Sequence, residues 1–264
     1  MKLLNGSDLA SYIKERQYRQ VSSLHGKGIQ PKLVILQVKD DPVIDTYVRL
    51  KKKYGEDIGV EVEALKVKQE DLLEKINKYN KDSKVHGIII QLPLLDNTNI
   101  ESVLNTVELK KDVDGLAKGS SFDSAAATAI LWLLSGYNIE PRGKDIVIVG
   151  KGRLVGAPLS RALTNSGIDH LVMEEDTFDK SKLKEADIVI SAVGKPGIIQ
   201  SEDVKDGAVL VDAGVAMDKG VVKGDIEDSI YERQDISITP KKGGVGPLTV
   251  CALFENVLRA AESS

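Results

Sequence analysis

The run LVILQV at residues 33–38 carries apolar side chains on both faces of an extended chain. Such a strand is buried only when both faces of its sheet are covered, as in parallel sheets flanked by crossover helices. The neighbouring sequence supplies those helices. DDPVIDTYVRLKKKYGEDIG (40–59) reads as a helix with Gly59 just past its end, and EDLLEKINKYN (70–80) as another. VEVEALKV (60–67) alternates like a half-buried strand, and HGIIIQLPL (86–94) reads as a buried strand ending at Pro93. An amphipathic helix over 8–24, with Ser7 a possible N-cap, precedes them. The order β-α-β-α-β predicts a parallel sheet.

A second series begins at Lys144, with strands at DIVIVG (145–150), HLVMEE (170–175), DIVISAVG (187–194) and AVLVDAG (208–214). VGAPLSRALTNSG (155–167) is a helix between the first two. An Ala- and Leu-rich helix over 123–136 lies between the series, placed to pack across a domain junction. A last helix, about 248–262, is expected to return to the first domain. The prediction is two α/β domains, residues 1–122 with 248–264 and residues 123–247, the second Rossmann-like. Ligands of such folds sit in a cleft between domains.

Composition narrows the function classes. With 264 residues, 42% of them hydrophobic, the chain can build a sizeable core. A formal charge of -4 gives no reason to expect nucleic acid or an anionic membrane as partner. The single cysteine, Cys251, excludes an internal disulfide and a Cys-based zinc site, and no metal is expected. The N-terminus turns polar too soon for a signal peptide, and no apolar run nears the roughly 20 residues of a membrane span. The expected location is the cytoplasm.

Several short patterns carry chemistry. Gly150-Lys151-Gly152-Arg153-Leu154-Val155-Gly156 follows a strand and opens a helix. Glycines there allow a tight turn and close approach of backbone to a pyrophosphate, next to the free N–H groups of a helix start. The spacing is one residue longer than the usual dinucleotide fingerprint, and glycines in such a turn also serve packing. Glu174-Glu175-Asp176, about 20 residues on, can accept hydrogen bonds from ribose hydroxyls and would repel a 2′-phosphate; three solvated charges are the alternative. Lys151 and Arg153 are near enough in sequence to neutralise a phosphate.

Tyr47 and Lys51 share a helix face at i, i+4. A lysine held against an aromatic ring in a cleft can exchange protons near neutral pH, although Lys51-Lys52-Lys53 also reads as a solvated stretch. Gln91-Leu92-Pro93-Leu94 ends a buried strand, where α/β folds place functional side chains. Asp112-Val113-Asp114-Gly115 is a turn with two carboxylates. Gly243-Gly244-Val245-Gly246-Pro247 offers bare backbone to a ligand.

Taken in order, these stretches resemble the methylenetetrahydrofolate dehydrogenase/cyclohydrolase family over about Pro31 to Leu258. Gln69 to Leu94, with Asn80, Asp82 and IIIQLPL, is similar to one signature of that family, and KGGVGPLTV (242–250) to the other. DDP…YVRLK, KDVDG, VGKGRLVGAPL and AVGKPG fall in family order. The resemblance implies a homodimeric enzyme of one-carbon metabolism, serving purine biosynthesis. It would oxidise 5,10-methylenetetrahydrofolate with NAD or NADP and hydrolyse the methenyl product to 10-formyltetrahydrofolate. It further implies that Lys51 activates water and that Gln91 holds Lys51. Tyr47 would stack on the folate and help position Lys51, and Asp114 would accept from the pterin. Gly150, Lys151, Gly152, Arg153, Val155, Glu174 and Val215 would contact the dinucleotide. Leu92, Gly244, Val245 and Pro247 would contact the folate, the glycine loop closing where the two ligands meet.

The chain departs from the family pattern in places. Ser124-Ala125-Ala126-Ala127 stands where Pro-Cys-Thr-Pro is usual, and Ile44 where a Ser is usual. The loop after Asp114 is short, Lys241-Lys242 replaces Val-Pro, and the acidic run 174–176 leans toward NAD. Three alternatives remain at this point: a dehydrogenase-only member, a catalytically silent binder of folate or dinucleotide, and a two-domain amino-acid or shikimate-type dehydrogenase.

Overall fold

Residues 1–218 and 221–264 are described by the computed structural model, without the side chains of residues 175, 217, 218, 221 and 222. The chain divides into two units, Met1–Ala10 with Ala126–Thr249, and Ser11–Ala125 with Val250–Ser264.

The chain opens on β1 (Lys2–Leu3) and α1 (Gly6–Gly26). The three-stranded unit then runs β2 (Lys32–Gln37), α2 (Pro42–Ile58), β3 (Glu61–Lys66), α3 (Leu72–Lys81), β4 (Gly87–Gln91) and α4 (Ile100–Leu104). Its sheet is parallel in the order β3-β2-β4, with Leu33 level with Gly87 and Gln37 with Gln91. The central β2 has Leu33, Val34, Ile35 and Leu36 fully buried, as its double apolar character requires. Local chemistry fixes α2. The Asp41 carboxylate accepts the Val43 N–H at 2.9 Å, Pro42 occupies the first turn, and Gly59 stops the helix at φ +86°.

The six-stranded unit holds α5 (Ala125–Gly136, from its second residue), β5 (Ile146–Val149), α6 (Gly156–Asn165), β6 (Leu171–Met173), α7 (Lys180–Glu185), β7 (Ile188–Ser191) and β8 (Val209–Asp212). There follow β9 (Ala216–Asp218), β10 (Val221–Lys223) and β11 (Ser237–Ile238), before α8 (Val245–Glu262). The sheet order is β1-β11-β8-β7-β5-β6, every pairing parallel. β9 and β10 form a separate antiparallel pair. Val147, Val149, Leu183, Leu210 and Ile238 belong to the buried core of this unit.

Four sequence expectations need correction. Residues 1–10 belong with the six-stranded unit, because Lys2 and Leu3 pair in register with Ser237 and Ile238. Those two-residue strands lack enough side chains to show a period. Asn5, not Ser7, caps α1: its Oδ1 accepts the Ser7 N–H at 3.0 Å. The HLVMEE strand ends at Met173, two residues early, because the Thr177 hydroxyl accepts the Glu174 N–H at 2.8 Å and draws residues 175–177 into a 3-10 turn. The last helix starts at Val245, so Gly246 and Pro247 lie in its first turn, where a missing N–H costs nothing.

Candidate active site

The first cluster lies in the three-stranded unit. Lys51 projects from α2, and Gln91 closes β4. The Lys51 ammonium donates to Gln91 Oε1 at 2.8 Å, while Gln91 Nε2 donates to the Leu92 carbonyl at 3.3 Å. That second bond fixes which end of the amide faces the lysine. The Leu92–Pro93 peptide is cis, and Leu92 is half-buried.

Asp114, in the loop after α4, acts on the same cluster through its charge. Its neighbour Asp112, 4% exposed, is spent on the turn and accepts the Ala117 N–H at 2.8 Å. Gly115 turns the chain at φ +69°, and a Cβ there would lie 2.7 Å from Asp123 and Ser124 backbone atoms. Asn256 Nδ2 clips both ends of the loop, donating to the Val113 carbonyl at 2.9 Å and the Asp123 carbonyl at 3.0 Å. The two carboxylates of Asp-Val-Asp-Gly therefore divide the work. Asp112 builds the turn, and the charge of Asp114 acts on Lys51.

Burial pushes the Lys51 ammonium below its usual range, opposed by the charge of Asp114. Burial likewise pushes Asp114 up, opposed by Lys51 and reinforced by Asp112. Both shifts favour a neutral amine, the form that can take a proton. Tyr47 is half-buried on the Lys51 face of α2, and burial raises its phenol. No cation–π contact between the Lys51 ammonium and the Tyr47 ring is found among the described residues, and burial is what depresses Lys51. Ile44 is 5% exposed and belongs to the core, so its replacement of a serine is a packing feature. Ser124, Ala125 and Ala127 are also buried, the alanines inside the first turn of α5, where prolines would not be needed to start the helix.

The second cluster lies in the six-stranded unit and is built mainly of backbone. Gly150 has φ +95°, and a Cβ on it would meet the Ala192 carbonyl oxygen at 2.8 Å. A Cβ on Gly156 would lie 1.8 Å from the Gly150 oxygen, so the start of α6 presses directly on the turn. Gly152 differs: its Cβ would find only the Ala192 oxygen at 3.7 Å, an ordinary contact. The outer glycines are demanded by packing, while the middle one leaves open backbone toward a cavity of about 310 Å³. Gly150, Lys151, Gly152, Glu174, Val193 and Lys195 are among its walls. An α6 N-terminus, open glycine backbone and two lysine side chains fit a dinucleotide pyrophosphate.

Of the described carboxylates in the acidic run, Glu174 borders the cavity. Asp176 is exposed away from its walls, and the Glu175 side chain lies outside the described residues. Lys151 Nζ stands 4.0 Å from Glu174 Oε1. Arg153 and Val155 are half-buried in the same turn but are not among the cavity walls. Val215 is 51% exposed, and its carbonyl lies 3.1 Å from where a Cβ on Gly194 would be. Gly244 and Val245 are buried at the start of α8, with Pro247 half-buried. Lys241 leans on the Tyr231 ring at 4.8 Å and pairs with Asp228, which accounts for a lysine where Val is usual.

Sequence reasoning missed the carboxylates beneath this wall, Asp212 and Asp225. The only signal was an aspartate close to a glycine in VDAG and in KGD, on either side of the β9–β10 pair.

Two family descriptions cover the chain. "Tetrahydrofolate dehydrogenase/cyclohydrolase, catalytic domain" matches residues 4–114, and the NAD(P)-binding domain of the same family matches residues 124–264. The chain belongs to the tetrahydrofolate dehydrogenase/cyclohydrolase family. It is 37% identical to the bifunctional protein FolD of Francisella philomiragia, over 99% of both chains. Among solved structures, the bifunctional FolD of Campylobacter jejuni superposes with a TM-score of 0.93 at 34% identity, covering 100% of this chain and 99% of that one. The Trypanosoma brucei FolD, solved with NADP cofactor and inhibitor, gives 0.91 at 28% identity, covering 99% and 97%. Membership sets aside the amino-acid and shikimate-type alternative. It also agrees with the parallel sheets of the two units and a Rossmann-like second unit.

Proposed function

We propose that the chain oxidises 5,10-methylenetetrahydrofolate with a nicotinamide dinucleotide and hydrolyses the methenyl product to 10-formyltetrahydrofolate. The observation that carries the hydrolytic half is the Lys51–Gln91 hydrogen bond beside Asp114. Gln91 takes one N–H of the Lys51 amine and so orients its lone pair. The amine accepts a proton from the water that adds to the methenyl carbon. Asp114 has carboxylate oxygens not used in its own turn and accepts from the N–H groups of the pterin. Tyr47 and Leu92 supply apolar surface to the folate; Gly244, Val245 and Pro247 are assigned to it on the family resemblance alone. The dinucleotide, when bound, accepts a hydride from the methylene carbon. Gly150, Lys151, Gly152, Arg153, Val155 and Val215 serve to hold and orient it.

Glu174 at the cavity wall supports use of NAD at least as well as NADP, because a carboxylate there accepts from a free ribose hydroxyl and repels a phosphate. No helix among the described residues is long and apolar enough to cross a membrane. We take the enzyme to act in the cytoplasm, as the sequence composition suggests, and as a homodimer, as the family resemblance implies.

Following methenyl absorbance during turnover tests this reading. A brief signal that decays is the expected result. Accumulation without decay would leave a dehydrogenase alone, and binding without signal a silent homologue. Gly152→Leu tests the cavity, because the fold leaves room for its Cβ while the side chain would fill the dinucleotide space.

A further inference from the structure

Beneath the cavity wall, two aspartates interlock. Asp225 is fully buried. Its Oδ2 accepts the Ser191 hydroxyl at 2.6 Å and the Val193 N–H at 2.8 Å, and its Oδ1 accepts the Lys195 N–H at 2.7 Å. Asp212, at the end of β8, accepts main-chain N–H groups in turn. Its Oδ1 takes Gly214 and Asp225 and its Oδ2 takes Ile226, each at 3.1 Å. Each acid seats in a space that only glycine leaves. A Cβ on Gly214 would fall 2.1 Å from the Asp225 carboxyl, and one on Gly224 would fall 2.0 Å from Asp212 Oδ2.

The consequence lies one peptide away. The Val193 N–H and the Ala192 C=O belong to one planar trans peptide and point in opposite directions. Because Asp225 draws the N–H inward, the Ala192 oxygen faces the Gly150–Gly152 turn, where it meets the positions that Cβ atoms on Gly150 and Gly152 would take. The same holds for the next peptide but one. Lys195 N–H is drawn to Asp225, so the Gly194 carbonyl is turned away from it, with Gly194 at φ +77° beside the Val215 carbonyl. One buried carboxylate thus sets the orientation of two peptides in a segment whose Val193 and Lys195 form part of the cavity wall.

We infer that Asp225 is a positioning residue for the dinucleotide, acting through the main chain of residues 192–195. It does not touch the cofactor. It holds the wall against which the cofactor is oriented, and Asp212 holds Asp225 in place through its N–H. This inference rests on the reading of the 310 Å³ cavity as the dinucleotide site.

Calorimetric titration with NAD and with NADP, alongside methenyl hydrolysis in the same preparations, tests it. Lys51, Gln91 and Asp114, to which hydrolysis is assigned, lie in the other unit and need no dinucleotide, so hydrolysis reports whether that unit survives, and Tm whether the six-stranded unit does. Asp225→Asn places an amide N–H against one of the three donors and should weaken dinucleotide binding roughly tenfold or more. Hydrolysis should stay within about twofold. Asp203→Asn is the control. Asp203 is 1% exposed in the same unit, bonded to the Gln200 N–H and Lys180, and is not a cavity wall. At a matched loss of Tm it should leave dinucleotide binding unchanged. If it weakens binding as much as Asp225→Asn, general destabilisation explains both and positioning is overturned. Should Asp225→Asn fail to fold, Ser191→Ala decides. It removes one donor and should weaken binding roughly two- to fivefold, with hydrolysis intact. Parental affinity in whichever of these variants folds overturns the inference. If Gly152→Leu also binds as the parent does, the cavity reading falls with it. If Gly152→Leu alone abolishes binding, the cavity stands and Asp225 does not position it.

Discussion

In the three-stranded unit the chemistry is carried by side chains: an amine, an amide and a carboxylate from α2, the end of β4 and the loop after α4. In the six-stranded unit the wall is backbone, with open peptide at Gly152 and oriented peptides at 192–195, and the side chains that matter most lie beneath it. The difference predicts two kinds of fragility. A side-chain site loses its chemistry when one group is removed and keeps its fold. A backbone site tolerates changes at its exposed residues and fails when a buried support goes.

The largest effect is expected at Lys51. Lys51→Ala removes the proton acceptor and should slow methenyl hydrolysis by roughly 10²- to 10⁴-fold. Dinucleotide affinity should survive, because the cavity walls belong to the other unit. Decay of methenyl absorbance and calorimetry read the two sides separately. Hydrolysis at the parental rate would remove Lys51 from the mechanism and erase the contrast.

Next comes a pH effect on the backbone side. Burial pushes the Asp212 carboxyl up to about 6, with Asp225 reinforcing and three N–H bonds opposing. The folded chain then holds a proton that the unfolded chain, with an ordinary carboxyl near 3.8, releases. Below pH 4 both states are protonated and the group is neutral in the balance. As pH rises from 4 to 6 the unfolded state gains, and above 6 the buried charge costs the fold about 3 kcal/mol. Denaturant titrations at pH 4.5 and 7.5 should therefore show a smaller pH loss for Asp212→Asn than for the parent. The difference between the two chains, rather than the absolute slope, isolates the group from other carboxylates such as Asp235, held down to about 2 by Arg233. Equal slopes would mean that Asp212 does not carry this titration.

Asp114→Ala should weaken folate binding by ~1–3 kcal/mol, because pterin N–H groups lose their acceptor. Asp112→Ala tests the division of labour within one turn. It should lower Tm through the lost Ala117 N–H bond, with any loss of folate affinity following that destabilisation. If the two variants act alike, the assignment of separate roles is wrong.

The same contrast explains what could be read in the sequence. The strand and helix order was legible because apolar runs such as LVILQV and the Asp41–Pro42 and Gly59 boundaries of α2 are local signals. Lys51, Gln91 and Asp114 were legible because reactive side chains announce themselves by type. Asp225 was not, since its importance depends on three donors from residues about 30 positions away. β1 and β11 were too short to show a period, and Asp112 and Asp114 could be told apart only by what each carboxylate touches.

Glu174 should show the smallest effect and the sharpest test of the backbone side. It lines the cavity, yet its side chain is 55% exposed and Lys151 stands 4.0 Å away. A carboxylate about 4 Å from a phosphate charge costs on the order of 1 kcal/mol in water and 4 kcal/mol at an effective dielectric near 20. Exposure and the paired lysine put Glu174 at the low end. Glu174→Ser should therefore raise catalytic efficiency with NADP about fivefold relative to NAD, an effect of about 1 kcal/mol. Lys151→Ala should move the ratio the other way, because it strips Glu174 of its partner and the phosphate of a neighbouring cation. Initial rates with both cofactors in the three chains give the answer. A strong NADP preference in the parent, unmoved by either substitution, would show that the selecting residues lie outside this pair and that Glu174 reads no ribose.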